Sequence, residues 1–257
     1  MESCHGIVHL AAHAHKTGSS GRSESEFERV NLEGSRFVMQ HAVRARVPRF
    51  IFLSSIKVNG EGGERPYRST DVPDPQDAYG RSKWAAEKNL QSLCAQSDTA
   101  LIIIRPPLVY GPGVKANFRR LLQLAYWGVP LPLAAITNRR SLIGVQNLVD
   151  FIETCISHPA ASQQTWLISD GEDLSTPELL GRLSELMHRR VRMFAISPVW
   201  MRAIARIFAM RDVTDRICGS LCVDSSVAQA SLGWRPPYSV NDELARTVAA
   251  YVGERKQ

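Results

Sequence analysis

The chain has 257 residues, 44% of them hydrophobic and 22% charged, with 31 Lys and Arg against 25 Asp and Glu for a formal net charge of +6. Such a chain is expected to be globular and soluble, with enough sequence for a sizeable core in one large or two small domains. No window reaches the roughly 18 consecutive apolar residues of a membrane span and no basic segment followed by an apolar one opens the chain, so a cytoplasmic protein without a membrane span is expected. The basic residues are dispersed and not interleaved with aromatics, so no nucleic-acid partner is expected and small anionic substrates account for the charge. Cys4, Cys94, Cys155, Cys218 and Cys222 are odd in number and lack a C-x-x-C, which predicts reduced thiols. His5, His9, His13 and His15 cluster early, but strand alternation separates them and no carboxylate lies among them, so no metal site is expected.

In chain order, residues 6–12 form a short apolar run of strand length, followed by a loop with Gly18 and Gly21 and a helical pattern over 24–45. The Gly18 to Gly21 stretch reads as an ordinary turn, since G-x-G-x-x-G is absent. Residues 49–55 are nearly continuously apolar, as a strand buried on both faces should be, and end in Ser54 and Ser55. A Gly- and Pro-rich loop over 56–78 leads to a helix over 79–94 and a third strand over 100–105. Strands alternating with helices imply right-handed crossovers and a parallel sheet, whose ligands bind beyond the strands' carboxyl ends. Further on, 118–127 and 146–157 read as helices and 164–169 as a strand, and Ser175-Thr176-Pro177-Glu178 reads as a capped helix start. Residues 199–210 combine Trp200, Met201, Ile204, Ile207 and Phe208 with Arg202 and Arg206. They are expected to form a helix packing its apolar stripe on the C-terminal lobe, although a membrane-surface role has the same pattern.

Tyr79-x-x-x-Lys83 is the stretch with most chemical content. The i and i+4 positions share a helix face, and a neighbouring ammonium favours phenolate, so Lys83 is expected to lower the Tyr79 pKa toward general acid-base use. The same spacing also describes an exposed helical pair without a role, and Ser55 alone would read as a strand-end cap. Parallel-sheet topology would bring Ser55 and Tyr79 to one crevice.

The ordered series His9-Leu10-Ala11-Ala12, Asn31-x-x-Gly34-Ser35, Phe52-Leu53-Ser54-Ser55, Tyr79-x-x-x-Lys83 and Arg105-Pro106-Pro107-Leu108-Val109-Tyr110-Gly111-Pro112-Gly113 resembles the extended short-chain dehydrogenase/reductase family, in its nucleotide-sugar epimerase/dehydratase branch. The stretch from Asn138 to Leu148 and the close at Leu232-Gly233-Trp234 extend the resemblance over nearly the whole chain. It implies an α/β fold: an NAD(P)-binding Rossmann-like parallel sheet with a smaller C-terminal α/β substrate lobe. Residues 1–115 would be the dinucleotide-binding and catalytic region, and 116–257 mainly the substrate lobe, interleaved with the first. It implies Ser55, Tyr79 and Lys83 as catalytic residues. Leu10, Ala11, Ala12, Asn31, Ser54, Tyr79, Lys83, Pro106 and Pro107 would bind the cofactor, NAD or NADP, while Ser55, Asn117 and Arg140 would bind a UDP-sugar. The planar fork of an arginine suits a diphosphate. A homodimer through a helix bundle is a further implication.

The resemblance also implies an opening strand, Gly-rich turn and helix that this sequence does not contain, roughly fifty to sixty residues. The sheet is therefore expected to lack its first strands and Gly-rich loop, leaving an apolar edge uncovered, with weak NAD binding and poor stability or aggregation. A start assigned too late and a genuine remnant are the two readings. The expected reaction is 4-epimerisation of a UDP-hexose or UDP-N-acetylhexosamine through a transient 4-keto sugar. The alternatives are an NAD(P)H-dependent reductase of UDP-4-keto sugars in surface-polysaccharide synthesis, and an inactive remnant that binds nucleotide-sugar only. Dehydration is disfavoured because Ile56-Lys57, not an acidic pair, follows Ser55.

Overall fold

A computed structural model of the chain describes residues 4–14, 22–196 and 218–255. The Gly18 to Gly21 turn and the 199–210 stretch lie outside the described residues. In chain order the elements are β1 (Ile7–His9), α1 (Arg22–Phe27), a π-helical turn (Glu28–Glu33), α2 (Gly34–Arg44), β2 (Arg49–Leu53) and α3 (Ala78–Cys94). Next come β3 (Ala100–Arg105), β4 (Leu108–Tyr110), α4 (Ala116–Trp127), β5 (Arg140–Gly144), α5 (Val145–Ser157) and β6 (Thr165–Leu167). The chain continues with β7 (Asp173–Leu174), α6 (Thr176–Leu186), α7 (Ser226–Leu232) and α8 (Val240–Glu254).

The first sheet runs β1-β2-β3-β6, with every pairing parallel. Its middle strands are buried on both faces, and period-two alternation divides their side chains. Phe50, Phe52, Leu101 and Ile103 pack with Met39 and Ala42 of α2 and Ala86 and Leu90 of α3. Ile51, Ile102 and Ile104 meet Phe151 and Ile152 of α5 and Ala228 and Leu232 of α7 on the other face. β1 is an edge strand with β2 as its partner.

β4, β5 and β7 form a second, mixed sheet, β4 parallel and β7 antiparallel to β5. Its core joins Tyr110 and Leu142 to Phe118 and Leu122 of α4, Leu180 and Leu183 of α6, and Leu244 and Val248 of α8. α6 starts at the expected Ser175 cap, a capping box closed by Glu178, and α8 at a second box formed by Ser239 and Asp242.

Most expected elements are present with shorter strands. The apolar run over 6–12 is a strand only at Ile7–His9, since pairing with β2 ends there and the following residues carry no ladder. The helix expected over 24–45 is interrupted by the π turn, a widening that buries Asn31 completely. β4, β7, α7 and α8 were not anticipated.

The ladder between β2 and β3 continues past both strands. Ser54 N donates to Ile104 O at 2.7 Å and Ile56 N to Pro106 O at 3.0 Å, which aligns the two carboxyl ends. α3 begins beside them, its first turn capped by Asp77 Oδ1 accepting from Gly80 N at 2.7 Å.

Candidate active site

Tyr79, Lys83 and Glu87 recur every four residues on one face of α3. That face lies along the end of β2. Tyr79 hydrogen-bonds with the Ser55 side chain. Lys83 Nζ donates to Leu53 O at 2.8 Å, and Glu87 accepts from Ser54 Oγ. The expected grouping of Ser55, Tyr79 and Lys83 is therefore present.

Its electrostatics differ from the simple cation-phenol picture. Burial pushes the Tyr79 phenol up to about 12, the Ser55 hydrogen bond opposing and the Asp77 charge adding to the rise. The expected lowering by Lys83 is not seen: burial, Ser55 and Asp77 set the shift, and desolvation of the phenolate is the largest of the three. Lys83 is 1% exposed, with its ammonium 4.5 Å from the Phe52 ring centroid. Burial pushes it down to about 8, against the charge of Glu87. Near neutral pH the pair is a phenol beside an ammonium.

Asn31 is spent on architecture. Its Oδ1 accepts from His13 N at 2.8 Å, and its Nδ2 donates to His13 O at 3.0 Å and to Ser82 Oγ at 2.9 Å. The π turn thus fastens the stretch after β1 to α3, one residue before Lys83. Leu10, Ala11 and Ala12 lie exposed along that stretch. His9 sits below them, stacked on Phe52, with Nε2 3.1 Å from Ser35 Oγ. The Ser35 proton goes to Asn31 O at 2.6 Å, so His9 Nε2 is the donor. Burial, and then the Lys83 charge, lower the His9 pKa.

Ser54, expected to face the cofactor, turns its hydroxyl to the buried Glu87. Glu87 also receives Arg105 Nη2 at 2.5 Å and Nε at 3.0 Å, and Arg105 Nη1 donates to Asn59 Oδ1 at 2.9 Å. A buried ionic network thus lies beneath the site, made of residues 54, 59, 87 and 105. Pro106 and Pro107 are buried, and the Pro106 carbonyl fixes the backbone beside Ser55.

Of the three expected substrate residues, Ser55 belongs to this cluster, and Asn117 and Arg140 come from α4 and β5. Asn117 is exposed in the first turn of α4. Arg140 opens β5, half-buried, with Nη1 donating to Gly219 O at 2.9 Å. The loop after Ser55 reaches toward it. Gly62, at φ +135°, approaches Ser220 O so closely that a Cβ would lie 2.1 Å from that oxygen, and Tyr67 bridges to Val223.

Lys57, Asp77, Ser82 and Glu87 escaped the sequence reading. Asp77 had a signal, a capping residue just before a helical run. Glu87 had another, since it lies four residues beyond Lys83 on the same face. Lys57 had none, as its partner Asp77 is twenty positions away.

The donor chemistry fits the reactive end of a nicotinamide dinucleotide. A buried ammonium has three N–H donors, of which Leu53 O takes one, and a phenol and a hydroxyl stand beside it. The described residues 4–14 offer exposed backbone at the same strand edge. No group of three or more His, Cys, Asp and Glu side chains that could hold a metal occurs among the described residues.

An open parallel sheet flanked by helices, with serine, tyrosine and lysine at its carboxyl edge, is a Rossmann-like α/β scaffold. Residues 1–169 match the NAD dependent epimerase/dehydratase family, and the chain belongs to it, as an enzyme whose cofactor is NAD. A UDP-glucose 4-epimerase from Vibrio cholerae is 41% identical over 251 residues, spanning 96% of this chain and 76% of that protein. An N-acetyl-alpha-D-glucosaminyl-diphospho-ditrans,octacis-undecaprenol 4-epimerase from Escherichia coli O157:H7 is 27% identical over 233 residues, 85% of this chain and 70% of its own. UDP-glucuronic acid 4-epimerase from Bacillus cereus, solved with UDP-glucuronic acid and NAD, superposes with a TM-score of 0.78 at 17% identity. That superposition covers 97% of this chain and 76% of the other and is a likeness of fold.

Proposed function

We propose that this chain is a nucleotide-sugar 4-epimerase acting on a UDP-hexose or UDP-N-acetylhexosamine through a transient 4-keto sugar. The observation that carries the reading is the α3 face that brings Tyr79 onto Ser55 and Lys83 onto the end of β2, in a chain 41% identical to a UDP-glucose 4-epimerase. Residues 1–115 carry the chemistry in this reading, and 116–257 mainly the substrate side.

Bound NAD supplies reversible hydride acceptance. Tyr79, reacting as the phenolate, takes the proton of the sugar 4-hydroxyl as C4 gives up its hydride, and as the phenol returns it when hydride comes back to the opposite face of the ketone. Ser55 orients the 4-hydroxyl and shares its hydrogen bond with the phenol. Lys83 would hold the nicotinamide ribose hydroxyls and places positive charge beside the phenolate that accepts the proton. Asn117 and Arg140 hold the nucleotide diphosphate, where a charged planar fork can donate twice. Ile56-Lys57 rather than an acidic pair follows Ser55, which supports epimerisation over dehydration.

Tyr79→Phe is expected to reduce epimerisation of UDP-sugars by at least about a hundredfold, while UDP still binds by calorimetry. A rate equal to that of the unmodified chain would remove Tyr79 from the chemistry. Stoichiometric NADPH consumption with a 4-keto sugar would instead identify a reductase.

A further inference from the structure

Two ion pairs meet at Lys57, two residues beyond Ser55. Its Nζ lies 2.6 Å from Asp77 Oδ2 and 2.7 Å from Glu61 Oε1. The other Asp77 oxygen caps the first turn of α3 through Gly80 N, the residue after Tyr79. The Lys57 main chain makes the same junction. Its N–H donates to Ser55 Oγ at 3.3 Å, and its carbonyl lies so near Gly80 that a Cβ there would stand 2.7 Å from the oxygen. The turn carrying Ser55 and the turn carrying Tyr79 are therefore in backbone contact, closed by one side-chain pair.

We propose that Lys57 is a positioning residue: by clamping Asp77 it fixes the turn that presents Ser55 against the helix start that presents Tyr79, and it supplies the counter-charge to the carboxylate nearest the phenol. The kinetic part of this proposal rests on the catalytic reading of Tyr79; the clamp does not. The Lys57 and Asp77 side chains are each 26% exposed, so solvent screens the pair and its contribution to global stability is small. Its effect falls on local geometry and field. Ser55 and Asp77 act on the phenol directly and Phe27 of α1 lies 6.1 Å away between ring centroids, while Lys57 reaches it through Asp77 and Glu61 through Lys57. His13 and Glu26 lie beyond that ring. Asp77 opposes ionisation of Tyr79, so removing Lys57 unmasks that opposition and removing the Asp77 charge relieves it.

The test is the ultraviolet phenolate signal of the full chain at a fixed alkaline pH below the Tyr79 midpoint, with Tyr79→Phe as the blank. Lys57→Arg, whose guanidinium keeps its charge at such a pH, is expected to raise the Tyr79 phenolate fraction about threefold, and Asp77→Asn to raise it by a similar factor. Asparagine still caps the helix, so the second variant keeps its fold. In turnover, Lys57→Met is expected to lower kcat about tenfold with KM little changed, and Lys57→Arg to recover most of the loss. An unchanged phenolate fraction in Lys57→Arg, or a fall in Asp77→Asn, would overturn the proposal. The phenolate reading needs no turnover, so it stands or fails separately from the assigned reaction.

Discussion

Lys83 illustrates how a residue can be costly to the fold and useful to the site. Its folded pKa of about 8 lies below the 10.5 of an unperturbed lysine, so between those values the unfolded chain binds more protons and stability rises with pH. The cost is fully present below about pH 8 and fades toward 10.5. That gap is worth roughly 3 kcal/mol, less about 1 kcal/mol for the hydrogen bond to Leu53 O. Lys83→Met is therefore expected to abolish turnover yet stabilise the chain by about 2 kcal/mol near pH 7, a gain that shrinks as pH rises. Urea denaturation at neutral and alkaline pH checks the size and its sign. Tyr79 has the opposite balance, since burial favours its protonated form and makes the proton-accepting phenolate the minor species near neutral pH.

At the scale of elements, α3 is bound to the sheet by a polar stripe as well as an apolar one. Glu87 ends the stripe, between Ser54 at the end of β2 and Arg105 at the end of β3. Both charges are almost wholly buried, so the pair is weak evidence for stability as a whole but expensive to break on one side. Glu87→Gln leaves the Arg105 guanidinium without its counter-charge and is expected to destabilise by about 3–5 kcal/mol. A urea midpoint within error of the unmodified chain would refute that. Spacing on the helix was legible, because Tyr79, Lys83 and Glu87 follow the helical repeat. What the stripe touches was not, because the partners come from strands that the sequence placed but could not orient. The helix over 22–44 shows the same division: its length was read, whereas the π turn that lets Asn31 hold His13 and Ser82 depends on contacts 18 and 51 residues away.

For the whole molecule, the joint between the two sheets is Asp170, just past β6. Tyr110 Oη donates to it from β4 at 2.8 Å, Gly144 N from the β5–α5 junction at 2.9 Å, and Asn147 Nδ2 from α5 at 2.7 Å. Burial raises the Asp170 pKa and those donors oppose the rise. Asp170→Ala orphans three buried donors, for an expected loss of about 3 kcal/mol or more. Asp170→Asn keeps one acceptor and is expected to lose less. Trp166 and Trp234 report the first sheet's core, so tryptophan emission and far-ultraviolet circular dichroism should cease to coincide in the Ala variant if this joint couples the lobes.

The sequence by itself determined β2 and β3, the helix between them, the parallel topology and the Tyr79–Lys83 spacing, because period, turn chemistry and apolar runs are local and written within about twenty residues. It also carried the α8 capping box at Ser239 and Asp242, a signal legible but not read. Only the tertiary structure decided that burial, rather than a neighbouring cation, governs Tyr79, that Ser54 serves Glu87, and that Lys57 closes on Asp77. The physical reason is the same in each case: desolvation and ion pairing depend on which distant segments exclude water from a group, and that is set when the sheet assembles.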